Sequence, residues 1–190
     1  MDYNIFEQIG LPYKLDQSAN NLRIHAGNEK AWTALHHIAG SWQLTHQAPM
    51  LLNGPKGSGK THLMRAFEQK LRSLHTELNI TWQSSRDIFG SHFQQSSRLR
   101  YVAPSYDRPN IDILLLHSFA DMEDSLGRQD LFMQLIGKMI QTAKLVIIEA
   151  RHLPSDTALL APHPDAIYLP SYKAFFHQCS RFRITQEQEN

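Results

Sequence analysis

The sequence predicts an α/β fold, three layers deep, with a central parallel sheet and helices on both faces. Two observations carry this reading. Short apolar runs, Met50-Leu51-Leu52, Ile111-Asp112-Ile113-Leu114-Leu115-Leu116 and Lys144 to Ile148, alternate with longer segments of helical period. The first run leads directly into Gly54-Pro55-Lys56-Gly57-Ser58-Gly59-Lys60-Thr61, a full match to the pattern G-x-x-x-x-G-K-[ST], and a helical segment follows it. Strand, glycine-rich loop and helix in that order form the geometry that cradles phosphate oxygens on backbone N–H groups.

Ala31, Ala34, Leu35, Ile38 and Ala39 recur at helical spacing before Gly40 and predict a helix over 28–39. Met50 to Leu52 is the first strand, and Thr61 to Leu74 is the helix behind the loop. Ile80-Thr81-Trp82-Gln83-Ser84 reads as a second strand, after which Ser85 caps a helix near 86–95 with Ile88, Phe89 and Phe93 on one face. The run 111–116 is nearly all apolar, as a central strand covered on both faces must be. A polar loop over 117–127 leads to a helix carrying Leu131, Phe132, Leu135, Ile136, Met139 and Ile140. Lys144 to Ile148 is a further buried strand, and Ala166 to Leu169 a shorter one between prolines. Tyr172 to Cys179 is an aromatic-rich helical segment whose default role is core packing. Residues 1–20 read as an extended N-terminal arm and 21–190 as a single nucleotide-binding domain.

Each position of the loop has a chemical reason. Glycines let the backbone turn its N–H groups inward, Lys60 reaches terminal phosphates, and the Thr61 hydroxyl holds Mg²⁺. The expected ligand set is therefore Gly54, Pro55, Lys56, Gly57, Ser58, Gly59, Lys60, Thr61 and His62, and the expected cofactor is ATP or ADP with Mg²⁺.

Composition narrows the remaining classes. Lys and Arg number 19 against 18 Asp and Glu, so no global charge draws the chain to nucleic acid or membrane. Arg98-Leu99-Arg100-Tyr101 is a local basic candidate whose ordinary reading is a solvated loop. Cys179 is the single cysteine, which rules out an internal disulfide and fits a reducing compartment. No N-terminal leader pattern and no apolar run of about 18 residues is present, so a cytoplasmic protein away from the membrane is expected. The 11 histidines are scattered apart from His36-His37, and no structural zinc is expected.

Three stretches carry a family resemblance: Gln8-Ile9-Gly10-Leu11-Pro12-Tyr13-Lys14-Leu15, Gly27-Asn28-Glu29-Lys30-Ala31, and Gly54 to Leu63. With the order of elements, they make the chain resemble the P-loop ATPase core of the DnaA-type AAA+ proteins, and within them the Hda type that regulates the replication initiator. The resemblance spans roughly residues 8 to 170 and is strongest at the phosphate loop. It implies a regulator of chromosomal replication initiation whose partners are the DNA polymerase sliding clamp and DnaA, with DNA reached only indirectly. The Hda family docks on the clamp through a short N-terminal peptide, which residues 8–13 resemble. Physically, a Pro12-stiffened extended segment can seat Leu11 and Tyr13 in an apolar pocket while Gln8 hydrogen-bonds at its rim. From spacing alone, an arm packed on its own domain is an equal reading.

The sequence also departs from a hydrolysing member. Such an enzyme needs a carboxylate at the strand tip facing Mg²⁺ and usually a second acid for the attacking water. Here the strand ends Leu116-His117-Ser118, so the two positions that match the family's paired aspartates carry no carboxylate. Asp112 lies roughly 13 Å back along extended chain, while Asp121, Glu123 and Asp124 follow in a loop, with Asp121 and Asp124 the candidate substitutes. Glu149 stands where the family places a polar γ-phosphate sensor, and is read either in that role or as a solvated strand end. No arginine lies between Leu153 and Pro170, and Arg151, Arg181 and Arg183 read as structural or surface residues. The sequence ends at Asn190, so the family's three-helix C-terminal lid is expected to be missing. Weak or absent hydrolysis follows. The alternatives are an active ATPase of helicase-loader or transposition-accessory type and a scaffold that binds no nucleotide.

Overall fold

The computed structural model describes residues 21–42, 47–84, 111–117, 129–130, 132–134, 136–137, 143–151, 174–175 and 178–186. Five strands, β1 (Met50–Asn53), β2 (Ile80–Ser84), β3 (Ile113–His117), β4 (Leu145–Ala150) and β5 (Ser180–Arg183), form one sheet in the order β2-β3-β4-β1-β5. Every pairing is parallel. Helix α1 (Glu29–Gly40) precedes β1, and α2 (Lys60–Leu74) follows the phosphate loop. The chain leaves β1, crosses to the β2 edge, and returns through β3 and β4, so the C-terminal ends of β1, β4 and β3 lie side by side. Doubly wound sheets bind ligands at such a switch in strand order.

The two-residue period of a strand decides which side chains share a face. Met50 and Leu52, Ile113 and Leu115, and Leu145 and Ile147 pack with Ala31, Leu35 and Ala39 of α1 and with Leu63, Met64, Phe67 and Leu71 of α2. The alternate set, Leu51, Leu114, Leu116, Val146 and Ile148, is equally buried, so the second face is covered as well. This two-sided burial is why the strands read as unbroken apolar runs. Phe132, in the helical stretch after the polar loop, and Phe175 are both buried, and their rings meet edge to face at 5.8 Å.

The observed β1 to β4 lie within two residues of the expected strands, and α1 and α2 within one residue of the expected helices. The fifth strand differs. It is Ser180–Arg183, not an element the apolar pattern marked, because an edge strand with a half-exposed Ser-Arg-Phe-Arg pattern carries no apolar run. Arg181 and Arg183 are thus sheet residues. The expected strand at Ala166 to Leu169 and the expected helix near 86–95 lie outside the described residues.

Past β5 the chain ties two segments together. Ile184 N–H donates to the Asn53 carbonyl at 2.6 Å and Thr185 N–H to the Gly27 carbonyl at 3.1 Å. Gly54 and Gly27 leave no room for a Cβ, which would run into the Ile184 carbonyl and the Thr185 side chain respectively. These are close backbone approaches that only glycine permits.

Asp112 lies at the opposite end of the sheet from the loop. Its carboxylate accepts the Asn79 N–H at 3.0 Å and pairs with Lys144 Nζ at 2.7 Å, stapling the entrances of β2, β3 and β4. Burial raises its pKa, but the hydrogen bonds from Lys144 and Asn79 and the Lys144 charge outweigh it, so the group is held below its ordinary value.

Two stability predictions follow from this packing. Phe67 is fully buried in the α1/α2 layer, so Phe67→Ala should lower the unfolding free energy by about 3–5 kcal/mol in urea titrations. A depressed carboxylate stabilises the fold above its unfolded pKa and loses that contribution as pH falls through its folded pKa. Asp112→Asn should therefore cost on the order of 1 kcal/mol at pH 7, and the gap from wild type should shrink as urea titrations are taken below about pH 3.9.

Candidate functional site

The loop between β1 and α2 has the backbone that its sequence demands. Gly57 and Gly59 adopt φ values of 82° and 85°, in the left-handed region where a side chain is strained. No atom lies within 4 Å of where a Gly59 Cβ would stand, so the cradle opens outward. Gly59 is also the N-cap of α2 and supplies no side-chain cap, leaving the first N–H groups of the helix for another partner.

Lys60 starts α2 and is 6% exposed. Its ammonium donates to the Gly54 carbonyl at 2.7 Å, the Pro55 carbonyl at 2.8 Å and Ser58 Oγ at 3.3 Å. Burial lowers its pKa, the Glu149 carboxylate works against that shift, and the Arg151 charge adds to it. Arg151, just past β4, is exposed, as its surface reading expected, yet its charge acts at the loop lysine.

Next in the helix, Thr61 Oγ1 donates to Glu149 Oε2 at 2.6 Å. Strand parity explains the meeting. Glu149 pairs in register with Leu52, and like Ile147 two residues before it faces the α2 layer. It is partly buried.

The tip of β3 carries His117, which follows the Leu116–Ile148 pair and so lies beside Glu149. Its ring stands 5.7 Å from that of Trp82, edge on. Trp82 is fixed in turn by Nε1–H donating to Glu68 at 2.7 Å and by the Arg65 guanidinium over its face. The β3 tip therefore presents an imidazole and not an acid.

A cavity of about 590 Å³ opens beside the loop. Gly57, Gly59 and His62 form one wall, and Arg23, His25 and Asn28 another. The second wall is pre-shaped: the Asn28 side chain accepts the His25 N–H at 3.0 Å and donates to the Arg23 carbonyl at 2.8 Å, while His25 Nδ1 accepts the Gly27 N–H. Its size lies within the range of small-molecule sites. Sequence reasoning placed Gly27 and Asn28 at a helix start only. The available signal was a glycine followed by a capping residue, whose side chain here holds the preceding strap instead of the helix.

Of the sequence-predicted residues, Gly54 to His62 come together in one loop and helix start, and His117 lies at the adjacent strand tips. Ser118, Asp121 and Asp124, the peptide residues Gln8, Leu11, Pro12 and Tyr13, and the basic Arg98 to Tyr101 lie outside the described residues. Among the described residues no cluster of His, Cys, Asp and Glu is built to hold a metal by itself, and no helix is long and apolar enough to cross a membrane. The first N–H groups of α2, an ammonium, a hydroxyl and a carboxylate form a set of groups suited to phosphate and to a hard, oxygen-preferring cation.

Comparison with known proteins gives the same answer from an independent direction. The family model of the bacterial DnaA ATPase domain matches residues 16–163. The chromosomal replication initiator protein DnaA of Bdellovibrio bacteriovorus is 26% identical over 136 residues, covering 68% of this chain and 28% of that protein. The chain thus spans well under half the length of this curated relative. In fold it is similar to AMPPCP-bound DnaA from Aquifex aeolicus, with a TM-score of 0.65 and 17% identity over 92% of this chain and 51% of that one. It is also similar to the DnaC helicase loader, with a TM-score of 0.59 and 12% identity over 90% and 97% of the two chains. A phosphate loop at the switch of a parallel 2-3-4-1-5 sheet, matched across most of its length by that family model, makes this chain a member of the bacterial DnaA ATPase-domain family.

Proposed function

We propose that this chain is a nucleotide-binding regulator of chromosomal replication initiation of the Hda type, with weak or no hydrolysis of its own. The observation that carries the proposal is an intact, open phosphate loop beside a β3 tip that ends in His117. In this reading the backbone N–H groups from Gly57 to Thr61 hold phosphate oxygens of ATP or ADP, and Lys60 turns from its loop carbonyls to the terminal phosphates. The Thr61 hydroxyl holds Mg²⁺, which when bound neutralises charge on the phosphates. The nucleoside takes the cavity between His62 and the Arg23 to Asn28 strap. AMPPCP bound to a DnaA of the same fold supports a nucleotide in this place.

Hydrolysis is slow because the strand tip that should fix the cation and the attacking water offers an imidazole. A loop acid such as Asp121 or Asp124 would need ordering to take its place. Binding then acts as a structural switch rather than a fuel. Gln8, Leu11, Pro12 and Tyr13 dock the protein on the DNA polymerase sliding clamp in the cytoplasm, DnaA is the regulated partner, and DNA is met only through these two. The second reading, an active helicase-loader-type ATPase, draws on the fold shared with the DnaC loader over nearly that whole chain.

Three experiments test these readings. At ADP or ATP one hundred times above Kd, the ligand should stabilise the fold by about 2.7 kcal/mol and raise Tm by roughly 5 to 10 °C, and Lys60→Ala should erase the shift. Magnesium-dependent turnover removed by Lys60→Ala and by Asp121→Asn or Asp124→Asn would favour the loader-type reading. In a surface-capture assay at physiological salt, wild type should bind the sliding clamp, and Gln8→Ala/Leu11→Ala should lose at least tenfold in affinity. Equal binding by the two would remove the clamp from the proposal.

A further inference from the structure

We infer that Glu149 supplies the carboxylate that supports the cation of this site from behind the Thr61 hydroxyl, one strand away from the β3 tip where the phosphate loop's chemistry calls for an acid. The inference rests on the nucleotide-binding reading above and adds a residue to it. Its ligand is a divalent cation of the Mg²⁺ class brought in with the nucleoside phosphates.

The geometry comes first. The pairs Leu52–Glu149 and Leu116–Ile148 place Glu149 between the end of β1, which leads into the loop, and His117 on β3. All three positions face α2, so a side chain at 149 points at the start of that helix. The Thr61–Glu149 hydrogen bond of 2.6 Å shows that it arrives. In that bond the hydroxyl donates its O–H to the carboxylate, which leaves the oxygen lone pairs for a hard cation. A carboxylate behind a coordinating group orients that group and raises its basicity, as outer partners do at metal sites generally.

The electrostatics agree. Glu149 is the group whose charge favours the protonated form of Lys60, against burial and Arg151. The carboxylate therefore acts on the phosphate end of the site and not on the nucleoside end. Asp112, the described acid just before β3, is spent on Lys144 and Asn79 at the opposite end of the sheet. His117 brings an imidazole, which suits neither a hard cation nor its water shell. Among the described residues, Glu149 is the carboxylate hydrogen-bonded to the loop hydroxyl. The arrangement lets Mg²⁺ strengthen nucleotide binding without an acid on β3.

The test uses the full chain and AMPPCP, which cannot be hydrolysed, so the readout is binding. Affinity is measured by calorimetry with Mg²⁺ and again with EDTA, and the quantity compared is the ratio of the two. Wild type should bind more tightly with Mg²⁺, and Glu149→Gln should cut that ratio by about tenfold or more. Asp121→Asn/Asp124→Asn should leave it at the wild-type value. A full Mg²⁺ ratio in Glu149→Gln, or its loss in the loop double variant, overturns the inference. So does wild-type binding indifferent to Mg²⁺, which leaves the nucleotide reading standing. Absence of saturable AMPPCP binding in wild type under both conditions overturns both. If Glu149→Gln does not fold, Mn²⁺ in place of Mg²⁺ with wild type and Glu149→Asp gives the answer. The electron paramagnetic resonance spectrum of the bound ion should change with the shortened acid, and an identical spectrum overturns the inference.

Discussion

The site depends on β1 being held on both sides as far as its last residue. Asn53 pairs with Ala150 of β4 and with Arg183 of β5, and the Gly54 N–H continues the ladder to the Ala150 carbonyl at 3.2 Å. From that fixed point the chain makes a loop containing two left-handed glycines and a buried lysine. The glycines take that conformation without strain, but burying the lysine is unfavourable locally and needs a scaffold to hold it. The parallel ladders on each flank provide it, and the close contact of Gly54 with the Ile184 carbonyl locks the loop's first residue in place.

The charges of the site follow from that confinement. Lys60 is taken out of water and compensated by carbonyls of its own loop. Glu149 holds the Thr61 hydroxyl in one orientation before any ligand arrives. A pre-oriented hydroxyl and a pre-desolvated ammonium reduce what binding must spend on ordering. At the β3 tip, among the described residues, His117 packs edge-on against Trp82.

Legibility from sequence tracked how local each feature is. The loop motif was readable in full, because eight consecutive residues encode a backbone conformation and its donors. Strands β1, β3 and β4 were readable because burial on both faces leaves an apolar run, and the half-exposed edge strand β2 because Ile80, Thr81 and Trp82 are strand-favouring residues. Strand β5 was not, since an edge strand may keep arginines on its flanks and still pair with β1, and its assignment depends on what lies beside it. Asp112 was placed correctly as too far from the tip by counting residues, whereas its role as a staple between Asn79 and Lys144 needed the register.

By itself the sequence determined the fold class, the positions of the buried strands along the chain, the phosphate loop and the imidazole in place of an acid at residue 117. These are written in short windows, where residue type and period constrain the backbone directly. Only the tertiary structure decided that Glu149 meets Thr61, that the strap around Asn28 walls the cavity, and that Ser180 to Arg183 completes the sheet. Thr61 and Glu149 stand 88 residues apart. Whether they touch is set by strand order, register and face together, and no local pattern carries that information.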